Sequence, residues 1–217
     1  FSFLHPEHEL LLRKALTKSA VSPFVYVSHE VLPEYREYER TSTTVINAFV
    51  APSVHGYLSS LADVLRSDIR VIQSSGGSVT AEAAVSRPVE TISGGPAGGV
   101  VGAYKLAKDA GFDKAICFDM GGTSTDVSLC DGTVPTTNAW TLAGSPIGTP
   151  AIDIYSIGAG GGSIARIDPG GALRVGPESA GADPGPAAYG LGEEPTVTDA
   201  DLVLGRLGVG DFTISGR

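Results

Sequence analysis

A segment in the middle of the chain carries the residues best suited to chemistry. Residues 119–126 read Asp-Met-Gly-Gly-Thr-Ser-Thr-Asp and follow an apolar run that begins at Lys114. A carboxylate ends one predicted strand, two glycines form the turn, and three hydroxyl residues lead into a second predicted strand. Glycines let the main chain approach a ligand closely and present successive N–H groups, which suits phosphate oxygens. The pattern therefore predicts a phosphate-binding hairpin.

Each residue type in this hairpin has an expected role. Asp119 is the candidate metal ligand and catalytic carboxylate, because Mg²⁺ is commonly held by one or two carboxylates and several waters. Asp126 returns a second carboxylate to the same turn and is the second candidate catalytic residue, expected to support the metal or the hydroxyls. The expected phosphate-binding residues are Gly121, Gly122, Thr123, Ser124 and Thr125. The alternative is a plain β-hairpin with a Gly-Gly turn, but such a turn requires neither the preceding Asp nor the Thr-Ser-Thr that follows.

A second glycine run, Gly158-Ala-Gly-Gly-Gly-Ser163, follows a predicted strand over 152–157. A dinucleotide-binding fingerprint would need a third glycine where Ser163 stands and a crossover helix afterwards. Pro169-Gly-Gly follows too closely for that helix, so this fingerprint is excluded. Two interpretations stay open for Gly160, Gly161 and Gly162: a loop that contacts nucleotide or substrate, and a structural turn.

Composition excludes several classes of function. The 217 residues carry a net charge of −9, with 42% hydrophobic and 18% charged residues, values typical of a globular protein. The acidic balance argues against a nucleic-acid partner, because binding to a phosphate backbone needs a basic face. No apolar run approaches the roughly 20 residues of a membrane helix, so no membrane partner is expected.

The two cysteines, Cys117 and Cys130, lie in apolar surroundings without metal-ligand spacing, and we interpret them as reduced core residues of a cytoplasmic protein. Met120 is the only methionine and lies in mid-chain. The sequence is therefore expected to be a fragment or a processed product.

The elements that position the hairpin alternate between strands and helices, which indicates an α/β fold. Predicted helices cover 6–20, a long segment capped by Ser42 or Thr43 and kinked at Pro52, 80–85, 96–108 and 198–207. Predicted strands cover 24–31, 69–73, 89–92, 114–120 and 124–130, with further strands and turns after 134 and a charged loop over 34–40.

Several blocks carry a family resemblance. The Asp-x-Gly-Gly-Thr-x-x-Asp pattern of 119–126 looks like the phosphate hairpin of the actin, heat-shock chaperone and sugar-kinase superfamily. Further blocks resemble the hydantoinase A/5-oxoprolinase family across nearly the whole chain, namely 28–34, 38–44, 93–103, 157–166 and 173–186. Each glycine block alone is weak, whereas together they are highly specific.

The resemblance implies a ribonuclease-H-like fold of the actin/sugar-kinase type, with two lobes and a mixed sheet in each. Residues 1–112 would be the remainder of the first lobe, including a small-residue hinge helix after Pro96, and 113–217 the start of the second, phosphate-binding lobe. The family pattern also contains an upstream Asp-x-Gly-Gly-Thr hairpin, which this chain lacks. The fragment alone is therefore expected to be inactive and to bind ATP weakly.

The implied activity is hydrolysis of a cyclic amide, such as a hydantoin or 5-oxoproline, with ATP and Mg²⁺. Phosphorylation of the amide carbonyl oxygen would supply a leaving group. A second subunit or domain of the hydantoinase B type is the implied partner. Two alternatives stay open: a subunit of an ATP-dependent ketone carboxylase, which the same family includes, and a non-catalytic module gated by nucleotide.

Overall fold

A computed structural model describes residues 1–19, 24–65 and 67–208 of the chain. The chain divides into two compact units. The first comprises Phe1–Ala115 and Cys130–Asp153, and the second comprises Ile116–Leu129 and Ile154–Arg217. Both units combine helices with small sheets, which confirms the expected α/β class. The hairpin of interest extends mostly into the second unit.

The first helices of the first unit are α1 (Glu7–Ser19) and α2 (Ser28–Val31). The first confirms the predicted helix within the described residues, since residue 20 lies outside them. The predicted strand over 24–31 is wrong, because residues 24–27 belong to no strand and a helical turn forms after the extended Val27. Side chains explain the difference. The Ser28 hydroxyl donates to Glu9 Oε1 (2.6 Å) and His29 Nδ1 lies 2.7 Å from Glu9 Oε2, so contacts with α1 override β propensity.

The long helix α3 (Glu37–Leu65) starts earlier than predicted and continues through Pro52. The segment expected as a charged loop supplies its first turn, where Glu37 and Glu39 are favoured by the positive end of the helix. Neither Ser42 nor Thr43 is the cap, because both lie inside α3. The Thr43 hydroxyl donates to the Glu39 carbonyl (2.6 Å) and accepts from the Gly148 N–H (3.0 Å).

A hairpin and a helix follow, as β1 (Arg70–Ile72), β2 (Ser78–Thr80) and α4 (Ala81–Ser86). The predicted strand over 89–92 is wrong, because Pro88–Thr91 forms a 3₁₀ turn. That turn is fixed by the fully buried Val89, whose N–H donates to Asn47 Oδ1 at 3.1 Å.

The predicted helix after residue 94 is confirmed as α5 (Gly94–Asp109). Its small face packs closely on β1, since a Cβ at Gly94 would lie 2.2 Å from the Ile72 carbonyl oxygen. A Cβ at Gly98 would lie 2.8 Å from Ile72 Cδ1. Close packing through glycine is thus the role that the structure gives these two positions.

The remaining strands are short and connected by turns. In sequence order they are β3 (Lys114–Met120), β4 (Thr125–Asp131), β5 (Thr136–Thr137), β6 (Trp140–Leu142), β7 (Ser145–Ile147), β8 (Ala151–Ile152), β9 (Tyr155–Ile157), β10 (Ser163–Ile167) and β11 (Leu173–Ser179). The chain then forms α6 (Val197–Val203), shorter than the helix predicted over 198–207.

The sheets are smaller than the mixed sheets expected. The strand order β3-β4-β9 defines the largest, with β4 and β9 antiparallel, and β5 with β8, β6 with β7 and β10 with β11 also pair antiparallel. Mixed sheets do not appear among these pairs and stay a prediction for the complete lobes. Parallel neighbours need long crossover connections, whereas short turns join most of these strands.

Cys117 and Cys130 are both buried thiols, as predicted. Over residues 1–19, 24–65 and 67–208, no helix has the length and apolar character needed to cross a membrane.

Candidate functional site

The turn between β3 and β4, residues 121–124, is here called the glycine turn. The Gly121 N–H donates to the Ser124 carbonyl at 2.9 Å and so closes it. Gly121, Gly122 and Thr123 are exposed, and Ser124 is half-buried. The residues predicted to hold phosphates thus lie mostly at the surface of the second unit, where a ligand can reach them.

The fold itself does not require glycine at the glycine turn. A Cβ built on Gly122 would have no atom within 4 Å, and one on Gly121 would meet only the Ser124 oxygen at 3.6 Å, an ordinary contact. Neither residue has the positive φ that favours glycine. The absence of side chains therefore leaves open space above an accessible main chain.

A second glycine segment, residues 158–163, lies directly against the glycine turn and is here called the glycine loop. The Gly161 N–H donates to the Gly121 carbonyl (3.0 Å), and the Gly162 N–H donates to the Gly122 carbonyl (2.6 Å). A Cβ at Gly160 would lie 2.6 Å from both the carbonyl carbon and the oxygen of Gly122. The structure thus brings together the two glycine runs that the sequence singled out separately.

Burial distinguishes the two runs. Gly160 and Gly162 are buried, in contrast to the exposed Gly121 and Gly122. The glycine loop is further closed by the Ser163 hydroxyl, which accepts from the Gly160 N–H at 2.8 Å. Of the two interpretations left open by the sequence, this geometry favours a structural turn for the loop. Direct ligand contact by residues 160–162 stays a prediction.

The strand β10 begins at Ser163, immediately after the glycine loop. A dinucleotide-binding fold would have a helix there. The exclusion of that fingerprint from the sequence is therefore confirmed.

Thr125 also connects the hairpin to the glycine loop. It is 4% exposed, and its hydroxyl donates to the Ala159 carbonyl at 2.6 Å. Its hydroxyl hydrogen is thus engaged within the protein, whereas Thr123 on the exposed turn is open to solvent. Among the predicted hydroxyl donors, the geometry favours Thr123 and Ser124 over Thr125 for contact with a ligand.

The two predicted carboxylates flank the glycine turn. Asp119 stands two residues before Gly121, and Asp126 two residues after Ser124, so in a regular hairpin both side chains lie on the same face. Asp119 is exposed, and Asp126 Oδ1 accepts a hydrogen bond from the Ser156 hydroxyl of β9. The carboxylates are thus available beside the exposed main chain of the turn.

The carboxylates beside the glycine turn are few for a metal site. Within the described ranges there is no group of three or more His, Cys, Asp and Glu residues that could hold a metal ion. A dedicated protein cage is thus not present there. One or two carboxylates beside a phosphate site suit Mg²⁺, which usually keeps waters and binds through substrate phosphates. Asp119 and Asp126 fit that mode.

Sequence reasoning missed the residues that hold the glycine loop from the other side. Thr198, in the first turn of α6, donates to the Gly161 carbonyl through its N–H (2.7 Å) and its hydroxyl (2.8 Å). That turn is fixed by a capping box between Thr196 and Asp199. The Thr-x-x-Asp spacing is the signal that could have located it.

Electrostatics at this cap follow from the same contacts. Burial raises the pKa of Asp199, but hydrogen bonds from the Ala188 N–H and from the Thr196 hydroxyl and N–H outweigh it, so the pKa lies below its ordinary value. The carboxylate is therefore ionised at neutral pH and holds the start of α6 firmly.

Residues 40–217 match the family model described as hydantoinase/oxoprolinase. The chain belongs to this family. As a hydantoinase/oxoprolinase family member, it contains the glycine turn, the glycine loop and α6 within the matched range. The resemblance to the hydantoinase A/5-oxoprolinase family is thereby confirmed.

Relatives within the family include enzymes of known type. The chain is 41% identical to caprolactamase subunit alpha of Pseudomonas jessenii, over 97% of this chain and 31% of that protein. It is 39% identical to 5-oxoprolinase of Saccharomyces cerevisiae, over 95% of this chain and 16% of that protein. This family member thus spans a third or less of the length of these two relatives.

A solved structure supports the similarity in three dimensions. The nucleotide-free structure of acetone carboxylase, an enzyme of ATP-dependent acetone carboxylation, matches with a TM-score of 0.81 and 33% identity. The match covers 95% of this chain and 31% of that one. Part of an ATP-dependent enzyme thus has the same fold as this family member.

Proposed function

We propose that this chain provides the phosphate-binding hairpin of an ATP-dependent cyclic-amide hydrolase. The observation that carries the proposal is the glycine turn, whose glycines 121 and 122 the fold does not require. Open space over an exposed main chain is what close approach of a phosphate needs. The similarity to 5-oxoprolinase and caprolactamase subunit alpha supports a cyclic amide as the second substrate.

The side chains around the turn then have distinct tasks. The Gly122 and Thr123 region binds phosphate oxygens, with the Thr123 and Ser124 hydroxyls as additional donors. Asp119 holds the cation, and Asp126, oriented by Ser156, supports it or the water around it. Bound Mg²⁺ would neutralise charge on the phosphates during transfer. Positioning and charge neutralisation are the main contributions expected of this chain.

The chemistry explains why such an enzyme would spend ATP. An unstrained amide is a poor electrophile, because its carbonyl carbon has no good leaving group. Transfer of the γ-phosphoryl group to the carbonyl oxygen gives ADP and an activated imidate. Water then attacks the carbon and the C–N bond of the ring breaks, which leaves the free amine and an acyl phosphate. A second water hydrolyses the acyl phosphate and releases phosphate. Each of these steps needs phosphates held in a fixed place relative to the amide.

The fold assignment can be made finer on the same grounds. A Gly-Gly turn after a strand-terminal carboxylate, preceded by a helix that packs through glycines, supports a ribonuclease-H-like fold of the actin/sugar-kinase type. We propose that the complete protein has that fold and that residues beyond this chain complete its nucleotide cleft. The incomplete coverage of the relatives supports this.

A partner subunit or domain is also part of the proposal. Caprolactamase carries a subunit named alpha, which indicates an assembly of more than one chain in that enzyme. We propose a partner of the hydantoinase B type for this protein.

The proposal is tested by replacing Asp119 with Asn in the complete enzyme. Asp119→Asn is expected to reduce Mg-ATP turnover with 5-oxoproline or caprolactam on the order of a hundred-fold. The matched control is Asp131→Asn at the far end of the same hairpin, where the carboxylate pairs with Lys114 Nζ at 3.0 Å. Unchanged Mg-ATP turnover in Asp119→Asn would refute the role of the hairpin.

A ketone carboxylase is the second candidate, favoured by the acetone carboxylase match. Such an enzyme would use the same phosphate site to phosphorylate an enolate and bicarbonate. Measuring ADP release with cyclic amides and with ketones plus bicarbonate separates the candidates. Stimulation by ketone and bicarbonate alone would replace the hydrolase assignment and leave the phosphate site intact.

A further inference from the structure

We infer that Thr198 is a positioning residue for nucleotide binding, acting on the glycine turn through Gly161. The inference rests on the proposed function, because it assigns a role in setting the phosphate site of the same hairpin. Thr198 follows the glycine turn by more than seventy residues in the sequence, and no motif connects the two. Hydrogen bonds do.

The connection runs through two successive peptide groups. Thr198 donates twice to the Gly161 carbonyl, at 2.7 Å from its N–H and 2.8 Å from its hydroxyl. Gly161 in turn donates its N–H to the Gly121 carbonyl at 3.0 Å. The carbonyl and N–H of Gly161 are thus held between α6 and the glycine turn.

The contact is close as well as polar. A Cβ at Gly161 would lie 2.8 Å from the Thr198 hydroxyl oxygen, so a side chain at 161 would displace this hydroxyl. The neighbouring Gly162 carries a parallel connection, since its N–H donates to Gly122 and its carbonyl accepts from the Ala180 N–H at 2.9 Å. The loop therefore has little room to shift without moving the turn.

The first turn of α6 is itself fixed independently of the glycine loop. The capping box holds Thr196 and Asp199 together, and Asp199 Oδ1 accepts from the Ala188 N–H at 2.6 Å. Thr198 is therefore presented by a rigid support. Because Thr198 is held rigidly and binds the middle of the glycine loop, it fixes the position of the glycine turn that the phosphates would contact.

The role differs from that of a ligand-binding group. The Thr198 hydroxyl is committed to the Gly161 carbonyl and has no part in the exposed surface of the turn. Removing it is expected to loosen the turn while leaving its glycines, hydroxyls and carboxylates in place. Nucleotide affinity should fall, and the chemistry of the bound complex should change less.

Thr198→Val tests this, because valine keeps the shape and the N–H but lacks the hydroxyl. In the complete enzyme, Thr198→Val should raise the KM for Mg-ATP about three- to ten-fold, with kcat changed less than KM. Thr198→Ser keeps the hydroxyl and should restore the KM to within about two-fold. Thr44→Val is the matched control, since it removes a similar hydroxyl bond to the Arg40 carbonyl (2.7 Å) in α3.

Direct binding of Mg-ADP, measured by calorimetry on folded protein, should follow the same order. If Thr198→Val binds like wild type, or differs from it no more than Thr44→Val does, the inference is wrong. The same holds if only the unfolding temperature changes, or if Thr198→Ser is as weak as Thr198→Val. Should Thr198→Val fail to fold, Gly161→Ala provides the second variant, because its Cβ pushes on the same hydroxyl; unchanged Mg-ADP affinity there would overturn the inference.

Asp119→Asn in the same series separates this inference from the proposed function. If Asp119→Asn keeps Mg-ATP turnover, the hairpin is not the phosphate site and the proposed function fails. If Asp119→Asn loses turnover while Thr198→Val retains the wild-type KM, only the positioning role fails.

Discussion

A Cβ placed on Gly160 would lie 2.6 Å from the carbonyl carbon of Gly122. Real side chains do not approach a peptide group that closely, so the presence of glycine at 160 allows the glycine loop to support the glycine turn. Glycine therefore occurs in the two runs for different physical reasons. The fold needs glycine in the glycine loop, whereas glycine in the glycine turn leaves open space at the surface.

Gly160→Ala is expected to disturb both stability and the site. The added methyl group must displace the turn or the loop, at a cost of about 1–3 kcal/mol in the free energy of unfolding. The KM for Mg-ATP should rise with it, because the turn moves. Chemical denaturation and steady-state kinetics measure the two effects. Gly102→Ala in α5, where a Cβ meets nothing within 4 Å, is the control, and equal behaviour of the two variants would contradict the contact.

Gly122→Ala should leave stability unchanged and weaken nucleotide binding. Its Cβ has open space and no unusual φ, so the free energy of unfolding should stay within about 0.5 kcal/mol of wild type. Mg-ATP binding should nevertheless weaken by about ten-fold or more, because the methyl group occupies the space that a phosphate needs. Isothermal titration calorimetry with Mg-ADP measures the nucleotide affinity. Wild-type affinity in a normally folded Gly122→Ala would remove the main argument for a phosphate at this turn.

Much of this site could be predicted from the sequence, because its signals are local. A strand-terminal Asp, a Gly-Gly pair and hydroxyl residues are contiguous, and β3 and β4 form where the pattern predicts them. The support behind the turn could not be predicted in the same way. Gly160 and Thr198 reach the hairpin only through tertiary contacts, and nothing in their own neighbourhoods specifies that partner.

The errors in secondary structure have a similar origin. Residues 28–31 and 88–91 contain β-branched residues, yet both form helical turns. In each case a distant polar side chain binds the segment, Glu9 in the first and Asn47 in the second. Propensity is a weak prior, and a buried or half-buried hydrogen bond between distant segments is enough to override it.

The contact of Glu9 with α2 predicts a pH dependence. Burial raises the pKa of Glu9, but hydrogen bonds from Ser28, His29 and Ser2 outweigh it and lower the pKa from 4.5 to about 2. A carboxyl whose pKa is lower in the folded state stabilises the protein above the unfolded-state pKa and loses this effect as the pH falls. The stability of wild type relative to Glu9→Gln should thus be greatest above pH 4.5 and shrink between pH 4.5 and about pH 2.

Thermal unfolding of both proteins across that pH range provides the measurement. The control is Glu7→Gln, at the exposed first residue of α1 and two residues before Glu9. The unfolding temperature of this variant should follow that of wild type across the pH range. A difference between wild type and Glu9→Gln that stays constant down to about pH 2 would contradict the assigned contacts.

Asn47 gives a prediction that concerns the core of the first unit. It is fully buried on α3, and its Oδ1 accepts the N–H of Val89, which is itself fully buried. Asn47→Ala would leave that N–H without an acceptor in a site closed to water, and it would also remove side-chain volume. The free energy of unfolding should fall by about 2–4 kcal/mol, measured by denaturant titration.

The choice of control makes the Asn47 experiment specific. Thr44→Ala, one turn earlier on the same helix, removes a hydroxyl bond to a local carbonyl and should cost about 1 kcal/mol or less. Asn47→Asp keeps an acceptor for Val89 but buries a carboxylate, so it should be tolerated better at acid pH, where the group is neutral, than at neutral pH. Asn47→Ala costing no more than Thr44→Ala would show that the 3₁₀ turn does not depend on this bond. The turn at 88–91 would then owe its shape to Pro88 and the packing of Val89 alone.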